Sequence, residues 1–263
     1  LARTERKTGK GYRGFAAEAN ENISLEEDLA RRDLTINSMA MDKFGQIVDI
    51  YNGQQDVADK VLKHTTSAFE EDPVRVLRLA RFYARFGPEW RIHESTKQLM
   101  REMHRKGELA HLVAERVWKE TERALMEPYP HLFFETLIDL DIFPEIANMR
   151  GVEQPAQHHP EGDVFVHTML VLQRAADLKF DLPTRFAALT HDFGKPAAFE
   201  KFGKLQGHEQ MGVEIIEGFC ERLKVPKKLA EIAKLTSDNH TRCHKIKELT
   251  PKTLHAFLID NMN

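Results

Sequence analysis

From Thr66 to the last residue, apolar side chains recur at helical spacing, with one interruption. The stretch "GVEQPAQHHPEGD", Gly151 to Asp163, is dense in Pro, Gly and polar residues and reads as a linker. Two helical blocks on either side of a linker exclude a large sheet over the last three quarters of the chain. Strands are expected only near the start, where "QIVDIY" (Gln46–Tyr51) is a short β-rich run between turn signals. "SLEEDLARRDLTINSMAM" has helical spacing, with Ser24 as its N-cap. No internal repeat or low-complexity tract is found.

The first helical block opens on "FEEDPVRVLRLARF", Phe69 to Phe82. Ser67 and the cluster Glu70-Glu71-Asp72 suit a helix N-terminus, Pro73 suits its first turn, and Val76, Leu79 and Phe82 follow at helical spacing. Residues three apart share a helix face, so Asp72 and Arg75 can present an acceptor beside a donor. Cytosine and adenine each offer an amino donor next to a ring-nitrogen acceptor. Uracil and guanine offer the reverse order. A paired carboxylate and guanidinium would therefore accept C and A and reject U and G. The bland alternative is a surface ion pair.

Other polar residues gather near this pair in sequence. "LARRDLTINSMA" holds Arg31, Arg32, Asp33 and Asn37, with Asp33 and Asn37 on one helix face beside guanidiniums suited to phosphates. Arg78, Arg81 and Arg85 form a second basic string, and Arg3, Arg6, Lys7, Lys10 and Arg13 stand against Glu5 in the first 15 residues. The net charge of −3 excludes a uniformly basic nucleic-acid coat but leaves room for such local surfaces. Two cysteines, Cys220 and Cys243, rule against a disulfide framework and fit a reducing cytoplasm. No apolar run reaches the roughly 18 residues of a membrane helix.

"LARTERKTGKGYRGF", "SLEEDLARRDLTINSMAM", "GQIVDIYNG", "AFEEDPVRVLRLARFYARF" and "GELAHLVAERVWKE" occur in that order over Leu1–Glu120. Together they resemble consecutive motifs of the bacterial class II CCA-adding enzymes, tRNA nucleotidyltransferases of the gammaproteobacterial type. The resemblance implies an α+β, predominantly α-helical chain. Residues 1–65 would be the last part of a β-containing nucleotidyltransferase head, and 66–150 a helical neck and body that selects the nucleobase and binds tRNA. It implies that Arg32, Asp33 and Asn37 contact ribose and triphosphate. Glu71, Asp72 and Arg75, with Arg78 nearby, would choose CTP and then ATP. Mg²⁺ would serve the transfer. The family's G-G-x-x-R segment followed by D-x-D, whose carboxylates hold that Mg²⁺, does not occur. With no initiator Met before Leu1, we expect a longer protein whose upstream residues supply them. Poly(A) polymerases share the RRDxxxN and EDxxR motifs and remain an alternative. If Leu1 is the true start, so does an RNA-binding chain whose chemistry is hydrolysis alone.

That hydrolysis is read from the histidines of the second block. Seven of 13 fall between His158 and His244. "DVFVHTML" (His167), "ALTHDFGK" (His191, Asp192), "LQGHEQMG" (His208) and "SDNHTRCH" (His240) place imidazoles around an adjacent His-Asp. The two side chains project about 100° apart on a helix, so one ion can reach both only at the helix edge, with ligands from other helices. Imidazole plus carboxylate suits Ni²⁺ or another divalent transition metal, and Mg²⁺ weakly. Such a site could activate water against a phosphate ester, with Lys195 assisting. His158, His244 and His255 read as ordinary surface or capped histidines, and Trp90 and Trp118 as core. The pattern resembles the HD phosphohydrolases, here over 156–263. That implies an all-α domain with His191 and Asp192 catalytic and phosphatase, 2′-nucleotidase and 2′,3′-cyclic phosphodiesterase activities. Its usual final Asp has only Asp260 as a candidate before Asn263. The expected partners are tRNA, CTP and ATP, with no membrane; the oligomeric state, monomer or homodimer, stays open.

Overall fold

The computed structural model describes residues 3–7, 15–19, 23–157 and 159–260. Lys10, Arg13 and His158 lie outside them. The chain divides into two compact units, Leu1–Phe143 and Pro144–Asn263.

The first unit opens with two antiparallel strands, β1 (Arg3–Lys7) and β2 (Phe15–Ala19), in register Arg3↔Ala19 to Lys7↔Phe15. α1 (Leu25–Ala30) begins at Ser24, whose hydroxyl accepts from Glu27 N while the Glu27 carboxylate accepts from Ser24 N. The helix is shorter than its sequence suggests. Asp33 turns its own Oδ1 onto Leu34 N, and Leu34 is extended and bridges His64. Local side-chain bonding of this kind competes with helix. A single 3₁₀ turn, Thr35–Asn37, then leads into β3 (Met39–Met41), which pairs antiparallel with β4 (Ile47–Asp49) inside the expected β-rich run. α2 (Gly53–Ala58) follows. Gly53 lies so close to Thr35 that an added Cβ would sit 2.3 Å from its carbonyl oxygen.

The helical run from Thr66 has one strand in it. β5 (Val61–Leu62) pairs in parallel with β6 (Arg91–Ile92), beyond the turn that ends α3 (Val74–Phe86) at Gly87. α4 (Glu94–Arg105), α5 (Ala114–Leu125) and α6 (His131–Leu137) complete the unit. α3 packs on both α5 and α6. Its inner stripe of Val76, Leu77, Leu79, Ala80 and Ala84 is fully buried, and Phe69, Phe133 and Phe134 fill the space beside it. Phe82 is half-buried beneath the guanidinium of Arg81, 5.0 Å from its ring centre. Trp118 is buried in this core, whereas Trp90 is half-buried and stacks on Phe86 with ring centres 4.4 Å apart.

The second unit is helical. α7 (Pro144–Ala147), α8 (Val164–Asp177), α9 (Leu182–Thr190), α10 (Lys195–Phe202), α11 (His208–Leu223), α12 (Lys227–His244) and α13 (Pro251–Asp260) follow in order. α9 packs against α8 and α12, and α11 against α10 and α12. Phe186, Phe193, Phe219, Leu172 and Leu189 form the core. Gly151–Asp163 is not a free linker. Gln154 N donates to Gly162 O (2.8 Å), Gly151 N to the Asp163 carboxylate (2.7 Å) and Val164 N to Val152 O (3.0 Å). Asp163 also caps α8, accepting from Val166 N. Pro and Gly mark this segment as irregular but say nothing of where it docks. Among the described residues no helix is long and apolar enough to cross a membrane.

Candidate functional site

In the first unit the acidic cluster is divided between two elements. Ser67–Glu71 forms a 3₁₀ turn, Asp72 is extended (φ −125°, ψ 105°), and α3 begins only at Val74. Asp72 therefore does not share a helix face with Arg75. Its carboxylate receives both Arg116 guanidinium nitrogens of α5, at 3.0 and 2.6 Å, and one oxygen accepts from Val74 N (3.1 Å). Arg75 donates to Ala68 O instead (2.6 Å). The sequence view of a local ion pair fails because a carboxylate ahead of a helix caps its free N–H groups, which turns the side chain away from i+3. Glu71 faces Arg31 at 3.4 Å.

The neighbouring residues do meet. Asp33, 7% exposed, accepts from Asn37 Nδ2 (3.1 Å) and from Arg78 Nε and Nη2 (2.8 and 2.7 Å). Arg32 binds Asp28 (3.0 Å) and Asn37 O (3.1 Å). The acidic run Glu26-Glu27-Asp28 lies in α1 and is used for its cap and for Arg32. The basic string on α3 is likewise engaged: Arg78 by Asp33, Arg81 by Glu120 at 2.6 Å, and Arg85 by both oxygens of Glu127.

The second unit brings all five expected metal-binding residues into one place. Asp192 follows the C-terminus of α9, and its side chain is 1% exposed. Around it stand His191 from the end of α9, His167 from α8, His208 at the start of α11 and His240 from α12. Their Nε2 atoms lie 3.0 and 3.8 Å from Asp192 Oδ2 for His191 and His167, and 3.5 Å from Oδ1 for His208 and His240. Lys195 Nζ is 2.7 Å from Oδ2. Gly194 and Gly212 allow this closeness. A Cβ on Gly194 would meet His208 O at 1.9 Å, and one on Gly212 would meet Ser237 Oγ at 2.3 Å.

The tautomers follow from the acceptors. Nδ1 of His191, His208 and His240 faces the carbonyls of Ala188, Leu205 and Ser237, at 2.9, 2.7 and 2.8 Å. His167 Nδ1 faces Glu161 Oε1 at 2.5 Å. Carbonyl and carboxylate oxygens only accept, so each Nδ1 carries a proton and each ring turns its Nε2 toward Asp192. His208 Nε2 and His240 Nε2 stand 3.1 Å apart. A proton or a metal cation shared between them removes the repulsion of two lone pairs at that distance. Both Asp192 oxygens are buried, and among the described residues no hydrogen bond of good geometry reaches either. Burial pushes Asp192 upward. The charges and donors of His191, His240 and Lys195 outweigh it and hold the carboxyl well below its usual range. Burial pulls His167 and His208 down, whereas Asp192 more than offsets burial at His240 and raises it. An orphaned carboxylate ringed by oriented imidazoles fits a divalent ion of the imidazole-and-carboxylate class. His167, His191, Asp192, His208 and His240 would hold it.

Sequence reading missed Glu161, His159 and Gln154, all in the supposed linker, and it missed Arg116 as the partner of Asp72. His159 Nδ1 lies 3.3 Å from Glu161 Oε1, and its ring meets that of His167 edge-on. His167 alone among the four is oriented by a side chain rather than a backbone carbonyl. Glu161→Ala is therefore expected to weaken Mn²⁺ binding by about 10- to 100-fold, with Glu161→Gln recovering most of the loss because it still accepts. Equal affinity in a calorimetric titration of the Ala variant would remove Glu161 from the site. The cluster opens on a cleft of about 1880 Å³ whose apolar wall includes Leu170, Leu178 and Phe180, with Arg174, Lys204 and Lys245 also lining it. The side chain of Asp260 is outside the described part of the chain.

Residues 2–63 match a Poly A polymerase head domain, 90–149 a "Probable RNA and SrmB- binding site of polymerase A", and 164–262 an HD domain. A solved structure of a CCA-adding enzyme overlays the whole chain with a TM-score of 0.62 at 20% identity, covering 57% of that chain. Another, of a CCA-adding enzyme with CTP, gives 0.60 at 22% identity over 91% of this chain and 53% of that one. The architecture is thus that of the CCA-adding enzymes, predominantly helical with few strands. Sequence narrows the class. The Multifunctional CCA protein of Teredinibacter turnerae is 48% identical over 98% of this chain, and that of Shewanella denitrificans 50% identical over 97%. The chain is similar to these multifunctional CCA proteins and spans 64% and 63% of their respective lengths.

Proposed function

We propose that this chain carries two parts of an enzyme that matures tRNA 3′ ends. The first selects CTP and then ATP for untemplated addition of C, C and A. The second is a metal-dependent HD phosphohydrolase acting as phosphatase, 2′-nucleotidase and 2′,3′-cyclic phosphodiesterase. In this reading residues 1–65 complete the nucleotidyltransferase head, 66–150 read the base and bind tRNA, and 156–263 form the hydrolase. Mg²⁺ serves the transfer, and Ni²⁺ or a related ion serves the hydrolase. The observation that carries the hydrolase is the buried Asp192 carboxylate among four inward-facing Nε2 atoms and Lys195. A divalent ion bound there supplies an activated water and charge stabilisation at a phosphoryl group. The chain's own part is to orient each ring through its Nδ1 acceptor, so that Nε2 is the atom offered to the ion, and to set the Lys195 ammonium beside the phosphoryl oxygens.

On the transferase side, Asp33, Asn37, Arg32 and Arg78 form one hydrogen-bonded group suited to sugar and phosphate. Glu71, Asp72 and Arg75 follow it as base readers. Arg116 already holds both Asp72 oxygens, so reading an amino group means sharing the carboxylate between base and Arg116. Asp72→Ala is expected to reduce discrimination of CTP over UTP by about 10- to 100-fold, the worth of one good bidentate contact. Arg75→Ala should act in the same direction. Binding and incorporation measured with all four nucleotides test this; full selectivity in both variants would end the idea. The poly(A) polymerase descriptions of two regions favour a second reading, in which ATP alone is added. Incorporation of CTP into tRNA lacking its terminal CCA separates the two.

A further inference from the structure

Gln154 is 6% exposed, and its Oε1 lies 2.5 Å from Lys195 Nζ. An ammonium only donates, so the amide face turned to Lys195 is its oxygen. That fixes Nε2 on the other side. This donor is buried and has no acceptor among the described residues. Nearly all buried polar groups in proteins find a partner, so one left open beside a reaction centre marks where a ligand atom belongs. The amide is also held in place. Gln154 N is bonded to Gly162 O, Glu153 bridges Asp163, and Asp163 caps the helix that carries His167. Gln154 lines the same cleft as His167, Asp192 and Lys195.

We propose that Gln154 is a substrate-binding residue of the hydrolase centre. Its Nε2–H donates to a non-bridging oxygen of the phosphoryl group, and its Oε1 holds Lys195 Nζ beside Asp192. The proposal rests on the phosphoester reading of that centre. The chemistry selects the ligand. Nε2 needs an acceptor, and it lies next to an ammonium with three N–H groups. Gln154 Oε1 at 2.5 Å takes one of those groups, a second can turn to the Asp192 charge 2.7 Å away, and a third is left for a ligand. An anion with several oxygens on one centre meets Nε2–H and that third N–H together. A single carbonyl meets one.

The test uses the full chain loaded with Mn²⁺ and titrated with inorganic phosphate. Bound metal, melting temperature, and kcat and KM on a 2′,3′-cyclic nucleotide are read in parallel. Gln154→Glu keeps an acceptor for Lys195 but replaces the donor with negative charge. It should weaken phosphate binding by about 10- to 100-fold at unchanged metal content, and raise KM more than it lowers kcat. Gln154→Met, of similar length and without polar atoms, should lose about 10-fold. If the Met variant unfolds, the Glu measurement decides alone. Phosphate binding equal to the parent in Gln154→Glu overturns the proposal, because the amide is then satisfied in some other way. So does loss of metal together with phosphate, which would make the role structural. A parent chain that binds neither Mn²⁺ nor phosphate refutes the hydrolase reading itself, and this proposal falls with it.

Discussion

Asp192→Asn is expected to reduce affinity for a divalent ion by more than about a hundredfold, and hydrolysis of a 2′,3′-cyclic nucleotide by at least as much. Changes to groups that merely orient a metal ligand already cost about 10- to 100-fold, and the loss of a central ligand should exceed that. The substitution keeps the shape of the side chain and removes its charge. Every nitrogen around it is either an imidazole Nε2 or the Lys195 ammonium, at 2.7 to 3.8 Å. Without the carboxylate, a dication would add to Lys195 with no anionic ligand among the five residues to offset it. The aromatic core of Phe186, Phe193 and Phe219 is left untouched, so the helical circular dichroism should stay close to that of the parent. Metal content by mass spectrometry and steady-state rates are the measurements. An Asn variant that holds its metal and keeps its rate would exclude Asp192 as the centre of the site.

The second large effect lies in the first unit and concerns stability. Arg81 on α3 is 5% exposed, with Glu120 of α5 2.6 Å away and Glu127 3.6 Å away. Glu120 and Glu127 are 5% and 8% exposed. Arg81→Met should destabilise this unit by about 3–5 kcal/mol, because it leaves buried carboxylates short of their cation. Part of the charge on Glu127 is still met by Arg85, and Glu120 retains Arg123 at 3.7 Å, so Glu120 bears most of the loss. In a unit of this size that corresponds to a fall in melting temperature on the order of 10 °C. The double variant Arg81→Met/Glu120→Leu should recover most of the stability, since replacing both members of a buried pair with apolar groups is often neutral. Thermal unfolding of the two single variants and the double variant gives the coupling. Strict additivity would show that α3 and α5 are joined by packing alone.

Much of this protein was legible in advance because the relevant signals are local. Ser24 marked the start of α1, and the β-rich run Gln46–Tyr51 contains β4. The His-Asp at the end of α9, with imidazoles spaced along three other helices, pointed to a shared ion site. The errors came where a side chain chose a distant partner over a near one. Asp72 took Arg116, 44 positions away, rather than Arg75 three positions away. The turn-rich stretch Gly151–Asp163 folded back to place Glu161 on His167 and Gln154 on Lys195.

The sequence by itself determined the helical character of the chain and the acid–base types of the side chains at each candidate site. Those properties depend on periodicity, capping and the acid–base character of single side chains, which neighbouring residues specify. Tertiary structure alone decided which groups face one another. Helix packing closes Gly194 onto His208 and leaves the Asp192 oxygens without a well-aligned donor among the described residues. The partner of a charge is set by which backbones approach within hydrogen-bonding distance, and spacing along the chain does not encode that distance.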